Sequence, residues 1–263
     1  MKKIHTKAVF ISLIFTLICV LLIKSVSYLN VDWNEWRQAT CMPDNSFNER
    51  IHDGYLRQPW NTFSSLFYSF VGIYIMCLPS TKKKAGKSVK IYENRIIKFL
   101  YAFSLVVTGL GSAFLHMSLT FVGQTTDVVG MYFISTFIIL YAILRNKNST
   151  TTTFVISMLL SNLILFIPLV FLPVLRRNLF AGLIVIGLIV ESKLNKHNKG
   201  NRPDLLITCA SIMIFGLVFW ILDNTKLFFN PDSWFQGHGI WHLCGAISAW
   251  LLYYYYEQEK SLQ

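Results

Sequence analysis

The sequence predicts an all-α membrane protein with a seven-transmembrane-helix core and one additional amino-terminal helix, and three observations carry that reading. Hydrophobic residues make up 54% of the chain and charged residues 14%, with a mean hydropathy of +0.48. Apolar runs of about 20 residues, the length that crosses a bilayer, recur between short charged stretches. The basic residues fall unevenly on alternate connections, as they do in multi-pass proteins. No polar segment is long enough to fold separately, so residues 1–30 are a membrane helix or signal segment, 31–59 an outer loop, and 60–263 a single seven-helix domain.

The first apolar run, 8–28, follows Lys2, Lys3 and Lys7 and precedes the triplet Ser25-Val26-Ser27. It reads as a signal anchor or a cleaved signal, and the poor cleavage triplet favours the anchor. The next spans are placed at 60–79, 97–119, 122–144 and 153–174, each bounded by polar or basic residues. The run at 178–192 is short and sits between Arg176, Arg177 and Glu191, whereas 204–222 and 238–256 complete the set. Thr150 to Thr153 form a polar loop entering a helix, and Tyr253 to Tyr256 are expected in an aromatic belt at the inner interface.

With the amino terminus inside, seventeen of the 24 basic residues lie on the inner side and six on the outer side, Lys24 being within the first span. Eight spans with both termini cytoplasmic satisfy that asymmetry. It also accounts for the net charge of +11 through an anionic inner leaflet, without nucleic acid as a partner. Of the five cysteines only Cys41 falls in an outer loop, so no loop-to-loop disulfide can be built. Asn- and Lys-rich loops and a simple first helix are compatible with a bacterial inner membrane; oligomeric state is not encoded in any readable feature.

Threading places polar residues that are distant in sequence at one depth. His116 ends the 97–119 run, His238 and His242 open the last one, Asp127 lies near the start of 122–144, and Asn61, Ser64 and Ser65 begin 60–79. Ionisable side chains in such places are costly and point to function. His238 and His242, spaced i, i+4, share a helix face, which suits two metal ligands. A third imidazole from another helix makes the set found in catalytic zinc sites, with a position left for water. Each residue also has an ordinary reading. Asp127 can be a helix cap, Ser112 after Gly109 and Gly111 a small residue for close packing, and His5, His52 and His197 surface or loop residues.

The segments GLGSAFLHMSLTFVGQTTDVVGMY, QPWNTFSS and FWILDNTKLFFNPDSWFQGHGIWHLCGAISAW resemble the alkaline ceramidase family of seven-helix membrane hydrolases. The S-x-x-x-H, D and H-x-x-x-H pattern is shared with a wider superfamily that includes adiponectin and progestin receptors. The W-x-x-D-N and N-P-x-S-W-x-x-G-H-x-x-W-H stretches favour the ceramidase branch. The resemblance implies zinc at His116, His238 and His242, Asp127 as the carboxylate beside the reacting water, Ser112 as a hydroxyl near the carbonyl, and a ceramide-like lipid substrate. The products are a sphingoid base and a fatty acid, and the active site faces the outer side. It also implies calcium in the segment before the first core helix. Gln58 stands where the family has a carboxylate, leaving Glu49 and Asp44 as candidate ligands. The rival readings are a lipid-sensing receptor or haemolysin-like protein with structural zinc, against which the E-x-x-N-x-x-x-H pattern is missing at Gln58, Asn61 and Ser65, and a hydrolase of another lipid amide or ester.

Overall fold

A computed structural model describes residues 5–42, 47–79, 88–147, 149–195, 202–226 and 230–258. Asp44, His197 and most of the basic residues between the second and third helices lie outside them. The described residues form eight α-helices: α1 (Thr6–Ser25), α2 (Pro59–Cys77), α3 (Arg95–Ser118), α4 (Phe121–Leu144), α5 (Thr151–Phe171), α6 (Arg176–Asn195), α7 (Pro203–Asn224) and α8 (Gly237–Gln258). They match the eight expected spans, and the segment read as short is a full helix of 20 residues in α6.

Six of the eight, α1 and α3 to α7, are long and apolar enough to cross a membrane. The other two are depressed in hydropathy by what they carry inward. On α2 these are Asn61, Thr62, Ser64, Ser65 and Ser69, and on α8 His238, His242 and Ser248, all buried. Helix α3, packed between α2 and α4, is the most buried of the six. In its most apolar window 67% of residues are buried, against 6% for α6 and 11% for α1 and α7, whose exposed Leu, Ile, Val and Phe side chains make the lipid-facing surface.

The helix starts follow local chemistry. Asn94 accepts the Ile96 and Ile97 N–H groups at the head of α3, Thr120 accepts that of Gly123 at the head of α4, and Thr150 that of Thr153 at the head of α5. Side-chain oxygens at these caps satisfy amides that have no partner within the helix. Asp127 is therefore not the cap of α4; it lies two turns inside.

Close helix approach is needed where α3 meets α4. A Cβ on Gly111 would stand 2.5 Å from the Thr126 carbonyl oxygen and 2.9 Å from the Asp127 nitrogen. On the other side, one on Gly130 would stand 2.5 Å from the Thr108 Cα. Small residues at these crossings let membrane helices pack backbone to backbone.

The end of the bundle away from the three histidines is an aromatic core, and here the expected interfacial belt is corrected. Tyr253, Tyr255 and Tyr256 are buried among Tyr101, Phe137 and Tyr141. The Tyr255 hydroxyl donates to Glu191 Oε1 at 2.8 Å, and Tyr101 donates to the Ala249 carbonyl at 2.6 Å. Glu191 in turn receives the fork of Arg145, with Nη1 to Oε2 at 2.9 Å.

Candidate metal centre and active site

The turn after α3 sets the position of His116. Leu119 adopts a left-handed conformation at φ 52° and its N–H closes on the Leu115 carbonyl, so α3 stops one turn beyond the histidine. Helix α8 begins at Gly237, placing His238 in its first turn and His242 one turn further along the same face. All three imidazoles are buried, at 0%, 6% and 3% exposure.

Their ring nitrogens lie within 4.8 Å of one another, and His116 Nε2 is 3.1 Å from His238 Nε2. Two lone pairs at that range repel unless a proton or a cation lies between them. Across tetrahedral zinc, with Zn–N of about 2.1 Å, two ligand nitrogens stand about 3.4 Å apart. The His116–His238 approach is close to that value, and the third ligand atom lies within 4.8 Å, near enough for the three to be drawn onto one ion. Asp127 is not one of the converging groups, which are histidines alone among the described residues.

Partners on the outer nitrogens orient two of the rings, those of His116 and His242. The Gln58 amide nitrogen donates to the Glu49 carbonyl at 3.1 Å, which fixes the amide so that Oε1 faces His116 Nδ1 at 2.9 Å. An amide oxygen only accepts, so Nδ1 carries the proton and Nε2 presents its lone pair inward. His242 Nδ1 lies 2.9 Å from Ser64 Oγ and 3.3 Å from Ser65 Oγ. Phe47 closes over the group, its ring centroid 4.9 Å from that of His116 and 4.3 Å from that of His238.

Ser112 is one turn deeper on α3. Its hydroxyl accepts from Ser65 Oγ at 3.0 Å and lies 3.3 Å from His242 Nε2. The close α3–α4 crossing at Gly111 sets Asp127 beside it, and the two side chains interact directly. Asp127 keeps part of its surface accessible while the imidazoles do not. The five residues singled out in the sequence therefore stand together.

The sequence matches the family model described as Ceramidase over residues 51–262. The chain belongs to the ceramidase family. It is also 25% identical over 214 residues, 77% of this chain and 70% of the relative, to a Dictyostelium discoideum protein titled "Putative alkaline ceramidase dcd3A". The matched span contains α2 to α8 and all five candidate residues. Family membership makes the chain a membrane hydrolase of the ceramide-cleaving kind.

The family's calcium segment fits poorly. The Gln58 oxygen is held by His116, and both Glu49 oxygens accept helix amides, from Trp60 at 2.6 Å and Asn61 at 2.8 Å, so Glu49 is the cap of α2. Burial pushes its carboxyl up to about 7 against the pull of those amides, with the charge of Asp223 adding to the rise. Reading the sequence alone missed Gln58, Ser64 and Ser65 as supports of the imidazoles. It also missed Asp223, which accepts the Asn48 N–H at 3.0 Å and faces the first amides of α8. Asp223 sits in the W-x-x-D-N stretch, which was the available signal.

Proposed function

We propose that this chain hydrolyses the amide of ceramide-like lipids, with zinc held by His116, His238 and His242 in the outer half of the bilayer. The observation that carries the reading is the 3.1 Å approach of two buried Nε2 atoms, with a third imidazole, a carboxylate and a hydroxyl around them. The outer location is supported by the distribution of basic residues, which puts the start of α8 and the end of α3 away from the basic loops.

Bound zinc supplies a Lewis acid for the amide carbonyl and makes water acidic enough to be deprotonated near neutral pH. The chain's residues do the rest. Gln58 and Ser64 keep the imidazoles in ligand orientation. Asp127 accepts a proton from water as its oxygen adds to the acyl carbon, then delivers it to the amine nitrogen as the C–N bond breaks. Fatty acid and sphingoid base leave with atoms balanced. Ser112 donates its hydroxyl hydrogen toward the carbonyl oxygen as charge develops there, a role worth about 3–4 kcal/mol in other hydrolases.

Elemental analysis of purified protein tests the metal assignment. About one zinc per chain is expected, consistent with a single three-nitrogen site. It should be lost in His238→Ala and in His242→Ala. Unchanged zinc in both variants would remove the assignment.

A further inference from the structure

Among the described residues, Arg57 is a cation with no anionic partner. It is 7% exposed. Its fork donates instead to two neutral oxygens of the outer segment, Gln38 Oε1 at 3.0 Å and Asn34 Oδ1. The Gln38 amide nitrogen donates in turn to the carbonyl oxygens of Trp33, at 2.7 Å, and Trp36, at 2.9 Å. Four oxygens from residues 33–38 are thus gathered around one guanidinium and the amide it fixes. Backbone carbonyls and amide oxygens converging in this way are what a hard divalent cation otherwise collects.

The backbone of Arg57 is tied to the candidate metal centre. Its N–H donates to the Met117 carbonyl at 3.0 Å, and the following N–H, of Gln58, donates to that of His116 at 3.1 Å. The outer segment meets the same end of α3 from the other side, Ala39 N–H donating to the Leu119 carbonyl at 2.9 Å and Phe121 N–H to that of Arg37 at 2.7 Å.

We propose that Arg57 is a built-in cation that closes the outer segment onto the metal-bearing end of α3, so that this segment takes no calcium. The position where the family has a carboxylate is the neutral Gln58, Glu49 caps α2, and Asp32 gives one oxygen to the Asn34 N–H at 2.8 Å, so among residues 32–38 only the exposed Glu35 has an unengaged carboxylate. A second full positive charge beside an uncompensated buried guanidinium would be repelled at close range. Arg57 is a positioning residue in this account: it holds the segment that carries Gln58, and Gln58 holds His116.

The test uses the full purified chain and no lipid substrate, so its outcome is independent of the ceramide reading. Calcium up to about 1 mM, where weak extracellular modules fill, is added against a chelated control, and bound calcium and the thermal midpoint are recorded. No saturable calcium uptake and an unmoved midpoint are expected. Saturable binding with a raised midpoint, as ligand linkage requires, would overturn the proposal. Arg57→Met is expected to lower the midpoint by several degrees and to loosen zinc, with calcium restoring neither. A midpoint equal to wild type in that variant would also overturn it. If Arg57→Met does not fold, the wild-type calcium titration decides.

Discussion

Gln58 shows how one residue can look like a loss in the sequence and act as a support in the structure. Set against the family pattern it is a missing carboxylate, yet its amide spans from Glu49 to His116 and fixes which imidazole nitrogen is free. Removing such a partner weakens metal affinity about 10–100-fold in other sites. Gln58→Ala should therefore hold zinc more weakly by that order in a competition titration, while Gln58→Glu, which still accepts from Nδ1, should keep it. Asp127 is expected to behave differently. Asp127→Asn should retain zinc at the wild-type ratio while turnover falls about 10²–10⁴-fold, the usual worth of a positioned acid–base group. Full turnover in Asp127→Asn would reassign the base. The histidines and Asp127 were legible because ionisable groups in apolar runs stand out. Ser64, Ser65 and Gln58 were not, since serine and glutamine at a helix start have many ordinary uses.

At the scale of elements, the site depends on how helices begin, end and cross. Helix α2 begins against Glu49 rather than against a residue of its own first turn, so a loop carboxylate far from the helix in local pattern serves as its cap. The sequence offered Glu49 only as a calcium ligand. Because burial raises this carboxyl from its ordinary 4.5 to about 7, the folded state binds the proton more tightly than the unfolded chain. Its contribution is then complete below pH 4.5, declines between about 4.5 and about 7, and is gone above. The thermal midpoint of wild type relative to Glu49→Gln should fall across that window and level off beyond it; a difference that rises with pH would contradict the cap's environment. The α3–α4 crossing is the other decisive element. Gly111 was visible as a small residue, but that its contact with α4 brings Asp127 to Ser112 required the structure.

The whole molecule reads as a bundle in which α3 is buried between α2 and α4 and other helices face lipid, with the polar chemistry at one end and an aromatic core at the other. Charge asymmetry and span length made that plan legible, including the number of helices. Inward polar residues lower the hydropathy of α2 and α8, both still placed as spans from the sequence, because a helix that lines a site in a bilayer loses hydropathy in proportion to what it contributes. Glu191 illustrates the converse. It appeared as a polar flank limiting α6, and instead pairs with Arg145 and Tyr255 deep in the bundle, with both side chains of the ion pair 1% exposed. Only a fold that brings α4, α6 and α8 together reveals the partner. The central proposal is that this bundle cleaves the ceramide amide through the three-histidine centre. Purified protein incubated with ceramide carrying a labelled acyl chain, before and after zinc is stripped and restored, tests it most directly. The prediction is labelled free fatty acid released in step with zinc content and absent in His242→Ala. Equal release from the stripped protein, or none from the zinc-loaded protein while another lipid amide or ester in a parallel panel is cleaved, would contradict it.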